Sequence, residues 1–237
     1  MKYGIVHYNT PELTVCLIAS VVKHDANAEF YIFENSDSRK LVIPKGLCTC
    51  ITLDNTNGSL VDFNNLISDS QSYLSSVSQE KQRHSMWGSL KHAASVQYLI
   101  EYIKDDFILL DSDVLVRKLP LDLCKDTIVC DFLIKNGVPL RVLPFMLYLP
   151  YYTLLKNDLK FFDITRFDAC YIGTDTGGSF CRDIVDKGVG VLHIDLSDYI
   201  IHFGNGSWRG KRTKANLSNC SGSHWAEFLV KHKDLWK

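Results

Sequence analysis

Residues 107–118 read FILLDSDVLVRK. Four apolar residues, Phe107 to Leu110, run straight into Asp111-Ser112-Asp113, and a second apolar run follows. A short apolar run closed by polar residues is the pattern of a buried strand. Carboxylates at i and i+2 share one face of a regular strand but stand roughly 6.6 Å apart along it, so Asp111 and Asp113 come close enough to share one ion only where the chain turns. Buried without partners, two carboxylates are costly. Two readings compete. In one, Asp111 caps a loop and Asp113 pairs with Arg117 or Lys118. In the other, a divalent cation takes oxygen ligands from both and offsets their charge.

Working outward, Ala93, Val96, Leu99, Ile100 and Ile103 recur at helical spacing and predict a helix over 89–103 that leads into the strand. Near the start of the chain YGIVHY is β-prone. The NTPE after it reads as a helix start, with Thr10 as N-cap and Pro11 in the first turn. Leu13, Cys16, Leu17 and Val21 mark the buried face of that helix. AEFYIFEN and LCTCITLDN are further β-runs, and a weakly patterned helix is expected over 60–74. Strands alternating with helices imply a mostly parallel sheet, since parallel neighbours need a crossover. Ligands gather at the carboxyl ends of such strands. Tyr8-Asn9-Thr10, Glu34-Asn35, Asp54-Asn55 and Asp111-Ser112-Asp113 all fall at these ends.

The second half is less regular. TIVCDFLI, LPFMLYLP and VGVLHIDL read as strands of a mixed sheet. GGSFCRDIVDKG reads as a short helix closed by Gly188, DYIIHFGNGSW as a strand and loop, and SHWAEFLVKHKDLW as a C-terminal helix. With 237 residues, 46% hydrophobic and 22% charged, the chain has enough apolar content for one substantial core. A net charge of −1 implies no global attraction to nucleic acid or membrane. MKYGIVHYNT lacks the apolar core of a secretory leader, and no run of about 18 apolar residues suggests a membrane span. The eight cysteines contain no C-x-x-C, and one close pair, Cys48 and Cys50, is too little for a four-ligand zinc site. A reducing, cytoplasmic setting without disulfides is the expectation.

HYNTPEL after the first strand, IFENSDS after the second, and GSLKHAASVQYLIEYIKDDFILLDSDVLV together resemble the GT-A-fold, nucleotide-sugar-dependent glycosyltransferases of the broad family 2-like kind. The resemblance covers roughly residues 3–120, and the order of the pieces is more specific than any one of them. It implies a single α/β domain with a Rossmann-like, mostly parallel sheet, helices on both faces and a mixed C-terminal half. Residues 1 to about 120 would bind the nucleotide sugar and about 121–237 the acceptor. In such enzymes an Asp-x-Asp motif holds Mn²⁺ or Mg²⁺ against the donor diphosphate. By that analogy Asp113 is the direct metal ligand. Asp111 contacts ribose, sugar or the metal, and Ser112 lies with the donor. Tyr8, Asn9 and Thr10 become candidates for base contacts, and Glu34 and Asp54 for acidic contacts to base or ribose; ordinary turn chemistry is the competing reading of the last two. Lys91 is expected near the start of its helix, where it and the helix N-terminus would favour the diphosphate. His92 departs from the family, where Asn is frequent.

Two downstream stretches complete the expectation. His202 ends an apolar run before a Gly-rich loop, in the position from which many GT-A enzymes take a third metal ligand; a structural histidine is the alternative. Asp175, in YIGTDTGGSF, is the candidate base that would take the acceptor hydroxyl proton in an inverting transfer. Gly177 and Gly178 would let backbone pass close to a substrate, and a helix N-cap cluster is the other reading of Thr174-Asp175-Thr176. The function expected is sugar transfer from a nucleotide diphosphate sugar, UDP-linked, to a glycan or glycolipid hydroxyl, with inversion. A retaining transferase remains open, because the His202 to Trp208 loop leans toward retaining relatives. A sugar nucleotidyltransferase would carry a Gly-rich, Arg-containing loop after the first strand, which HYNTPEL lacks. A non-catalytic sugar-binding relative has no need of an intact Asp111/Asp113 pair with His202.

Overall fold

The computed structural model describes residues 1–66, 80–163, 176–202 and 234, with the backbone alone over 80–87. Among the described residues, the strands over 2–7, 29–34 and 49–54 are neighbours in that order, as are those over 191–193, 128–130 and 146–149. The chain groups into two compact units, one of Met1–Thr56, Leu110–Leu121 and the chain from Asp195 onward, the other of Asn57–Leu109 and Asp122–Ile194.

In the first unit β1 (Lys2–His7), β2 (Glu29–Glu34) and β3 (Thr49–Asp54) pair in parallel, in register from Lys2↔Glu29↔Thr49 to His7↔Glu34↔Asp54. Their C-terminal ends therefore lie level, which aligns the polar residues that follow. Tyr3, Ile5, Phe30, Ile32 and Phe33 are essentially inaccessible, and Tyr3 stacks on Phe30 at 5.4 Å between centroids. Burying such a side chain contributes roughly 1.5–3 kcal/mol. Helix α1 (Pro11–Val22) begins with Pro at its first position and buries Leu13, Cys16, Leu17, Ile18 and Val21, the face the spacing predicts. Thr10 occupies the N-cap position but makes no side-chain capping bond, a correction to the sequence reading. Ser20, inside α1, donates its hydroxyl to Leu17 O at 2.7 Å and accepts Val116 N–H at 3.0 Å. This buried hydroxyl ties α1 to β5 (Val114–Val116), which pairs antiparallel with β11 (Ile200–His202).

In the second unit α2 runs over Glu80–Ile103. Ala93, Val96, Leu99, Ile100 and Ile103 are buried, as the periodicity predicts. The helix starts well before residue 89, because the polar turns that precede its apolar face are themselves good helix formers. Phe107–Asp111 forms β4, with its four apolar residues buried. TIVCDFLI, read as one strand, divides: β6 (Ile128–Cys130) pairs with the strands over 146–149 and 191–193, while β7 (Phe132–Lys135) pairs with β8 (Val138–Val142) in a separate hairpin. The hairpin's two-residue turn is Asn136-Gly137, with φ of 53° and 76°, values Asn and Gly adopt readily. β9 (Met146–Leu149) is antiparallel to β6, and β10 (Val191–His193) parallel to it. Helices α3 (Tyr151–Lys156) and α4 (Gly178–Asp186) complete this unit. The helix expected over 60–74 is described only to residue 66, with 63–66 helical. The expected C-terminal helix over 223–236 lies outside the described residues except at 234.

Candidate metal centre

β4 is apolar until Asp111, and the chain then turns at Ser112-Asp113 before entering β5. This turn is what brings the i and i+2 carboxylates together. β11 lies against β5 with His202 opposite Val114, so the imidazole arrives from far along the sequence beside Asp113. His202 Nε2 is 3.2 Å from Asp113 Oδ1. One ligand atom from each of Asp111, Asp113 and His202 lies within 4.8 Å of the others. Ligand bonds of about 2.0–2.6 Å allow one divalent cation to touch atoms separated by that much, so the donor set fits a shared ion.

Electrostatics favour the same use. Asp113 is 2% exposed and Ser112 1%. Burial, then the neighbouring Asp113 charge, push the Asp111 carboxyl well above the ordinary carboxylate range, against the opposing effect of the Ser112 N–H. That N–H donates to Asp111 Oδ1 at 2.8 Å. The Asp111–Asp113 repulsion is the kind a bound dication removes. The pairing of Asp113 with Arg117 or Lys118 is not what forms: Arg117 Nη1 donates to Ser197 O at 3.4 Å and Lys118 lies over the Tyr199 ring. Thr10, freed from capping, donates its hydroxyl to Ser112 Oγ at 3.5 Å, so the start of α1 meets the acidic turn.

The loop after β1 is built against the loop after β2. Asn9 sits at φ 55°, a left-handed conformation that Asn tolerates. Its N–H donates to Ser36 Oγ at 2.9 Å, and its Oδ1 accepts from Ser38 N at 3.1 Å and Arg39 N at 3.0 Å. Asp37 accepts from Tyr8 Oη at 3.0 Å and from Asn9 Nδ2 at 2.5 Å. Glu34, 2% exposed, accepts backbone N–H groups of Ser36 and Leu41, each at 2.7 Å. The buried His7 closes the cluster, with Nδ1 2.8 Å from Thr14 Oγ1 and Nε2 3.8 Å from Glu34 Oε2. Asp54 accepts from Thr56 N and Oγ1 and from Lys40 Nζ, bonds that hold its carboxyl down at about 2. Both carboxylates thus perform turn chemistry. The partners Ser36, Asp37, Ser38 and Arg39 were not singled out from sequence; ENSDS carries a turn signal, but nothing local marks Asn9 as its partner.

Lys91 lies in the second unit, inside α2 rather than at its N-terminus, with its ammonium 5.4 Å from the Phe63 ring centroid. Gly177 serves packing: it sits at φ 85° as the N-cap of α4, and a Cβ there would lie 2.2 Å from Val142 O. Asp175 lies outside the described residues.

No family model matches the sequence and no curated protein matches it. Solved structures similar to it include the galactosyltransferase LgtC in complex with donor and acceptor sugar analogs, at 12% identity and a TM-score of 0.41 over 83% of this chain and 74% of that one. The apo bifunctional glycosyltransferase WbbM is similar at 10% identity and 0.46, over 83% of this chain and 39% of that one. The apo form of the glycosyltransferase GlyE of Streptococcus pneumoniae TIGR4 is similar at 11% and 0.47, over 82% and 45%.

Proposed function

We propose that this chain is a metal-dependent glycosyltransferase of GT-A type, a single domain that moves a sugar from a UDP-linked donor to a glycan or glycolipid hydroxyl in the cytoplasm. The observation that carries the reading is the convergence of Asp111, Asp113 and His202 on one small volume at the end of a buried strand. Asp113 and His202 hold Mn²⁺ or Mg²⁺, with Asp111 as the third ligand or in contact with the donor. The cation, when bound, neutralises the charge that develops on the departing diphosphate. Ser112 and Thr10 lie beside the donor at the acidic turn, while Tyr8 and Asn9 contact the base. Glu34 acts by bracing the loop these residues present, Asp54 closes the neighbouring turn, and Lys91 attends the diphosphate. Asp175 takes the acceptor hydroxyl proton as the oxygen bonds to the anomeric carbon and the bond from that carbon to the diphosphate breaks.

Thermal unfolding in a panel of nucleotide sugars with Mn²⁺ tests the donor. A UDP-sugar should raise the melting temperature only when metal is present, by mass action. If no nucleotide sugar does so, with or without metal, the transferase reading falls. Asp175→Asn should bind donor normally and lose about a hundredfold or more in transfer rate; near-normal transfer would remove Asp175 as base. A retaining reaction is the second reading, carried by the resemblance of the His202 to Trp208 loop to retaining relatives. The anomeric configuration of the product, read by NMR, separates the two.

A further inference from the structure

A groove in the second unit is lined by α3, the turn before β6 and the loop from α4 to β10. Its volume is about 560 Å³, inside the ~300–1,000 Å³ of small-molecule sites. Hydrogen bonds hold its walls. Thr153 Oγ1, on α3, donates to Asp126 O at 2.5 Å, which ties the helix to the turn. Gly188, at φ 62°, closes α4: its N–H donates to Val185 O at 3.1 Å, and the Val189 N–H to Ile184 O at 3.0 Å. This is the paired-bond helix ending that a left-handed glycine permits. A ligand would therefore meet a shaped surface and order little chain on binding.

The polar side chains of this groove are largely unspent. Among the described residues, no hydrogen bond or ion pair engages the Asp126 carboxylate, the Thr127 and Tyr152 hydroxyls or the Lys156 ammonium. Asn157 gives its Nδ2 to Thr153 O at 2.8 Å and keeps its Oδ1 as an acceptor. Tyr152 is 70% exposed, so its ring stands open to solvent. One cation and one anion line the groove, which favours a neutral ligand: a bare anion would meet Asp126, and a bare cation Lys156. Donors and acceptors set beside an aromatic ring match a sugar. Each sugar hydroxyl both donates and accepts, and the C–H face of a sugar ring packs on an aromatic one.

We propose that this groove binds a neutral oligosaccharide. Tyr152 packs on the face of one sugar ring, Asp126 and Asn157 Oδ1 accept from its hydroxyls, and Lys156 and Thr127 donate to them. The groove holds the glycan and does not react it. It belongs to the second unit, whereas Asp111 and Asp113 belong to the first. The inference goes beyond sugar transfer and does not rest on it.

The experiment records amide NMR spectra of the full-length protein, without metal or nucleotide sugar, at rising millimolar lactose, maltotriose, cellotriose and triacetylchitotriose, with inorganic phosphate as a separate arm. At least one saccharide should shift the amides of Thr127, Tyr152, Asn157 and Gly190 saturably, and phosphate should not. Losing an aromatic anchor should weaken that binding about fivefold or more in Tyr152→Ala. Its melting temperature should match the parent's, because the side chain is exposed. Tyr102→Ala, which removes an exposed ring from α2, should bind as the parent does. The proposal is overturned if no saccharide shifts these amides, if the shifts fall on other residues, or if Tyr152→Ala binds as tightly as the parent. Phosphate shifting the same amides would make the groove an anion site and overturn it equally. No metal or nucleotide sugar enters the test, so its failure and a failure of the transferase reading are told apart.

Discussion

Replacing Asp113 by Asn changes little in volume and removes one charge from a crowded site. Asp111 and Asp113 present ligand atoms no more than 4.8 Å apart. At an effective dielectric of about 20, two full charges at that distance repel by on the order of 3.5 kcal/mol. Asp111 relieves part of this in the parent protein by holding its proton to higher pH, an effect of burial and of the Asp113 charge. The variant loses the repulsion together with the ion contact to His202 at 3.2 Å, an attraction of the same order when the imidazole is protonated. These nearly cancel, so the metal-free variant should unfold within about 1 kcal/mol of the parent. Metal separates the two proteins. At a Mn²⁺ concentration of about 100 Kd the parent gains ~2.7 kcal/mol, which is ~5 °C for a chain of this length. Losing a direct ligand costs at least the hundredfold that outer contacts can cost, so the variant keeps only ~0.4 kcal/mol, under about 1 °C. Calorimetric melts with and without Mn²⁺, with free Mn²⁺ counted by electron paramagnetic resonance, read both quantities. Equal Mn²⁺ shifts in parent and variant, or no shift in the parent at millimolar Mn²⁺, would refute the metal centre. The sign with pH follows as well. Native Asp111 binds its proton more tightly than the unfolded chain does, so metal-free stability should fall as pH rises through the native pKa, and Asp113→Asn should flatten that fall.

Gly177→Ala places a Cβ 2.2 Å from the Val142 carbonyl oxygen at a φ of 85°, and the obstructing atoms are backbone. Left-handed strain of about 1–2 kcal/mol plus the loss of the Val142 N–H to Gly177 O bond, worth about 1, predicts destabilisation near 3 kcal/mol in a denaturant melt; a loss under about 1 kcal/mol would mean the loop shifts freely. His7 is held below its ordinary pKa by burial, with the Glu34 charge opposing. The unfolded chain therefore takes up the proton first, and stability that is full above about pH 6.5 should drain away as pH falls below it. His7→Gln should remove that acid-side loss from the melting temperature, and identical pH slopes in the two proteins would sink the assignment.

Most elements were legible because their signals are local. The alternation of apolar runs with the i, i+3, i+4 spacing of α1 and α2 identifies strands and helices wherever a segment carries its own burial pattern. The polar ends of β1 to β4 were legible for the same reason, and parallel in-register pairing then sets the first three side by side. Where a residue's role depends on a partner distant in sequence, the local pattern was silent or misleading. Thr10 carries every local sign of a capping residue, yet its hydroxyl goes to Ser112. TIVCDFLI reads as one strand, yet it divides between a sheet and a hairpin. Gly177 suggested a substrate passage, and the carbonyl that requires it belongs to β8.

An apolar strand ending in two closely spaced carboxylates, and other strands ending in polar residues, can be read along the chain alone. Burial and side-chain alternation follow from the order of residues along one segment. The folded arrangement turns the chain between Asp111 and Asp113 so the carboxylates meet, and lays β11 against β5 so His202 joins them. It also decided that Glu34 and Asp54 serve the backbone around them. Convergence is a property of how segments pair in space, and hydrogen-bonded pairing between distant segments leaves no periodic mark on either one.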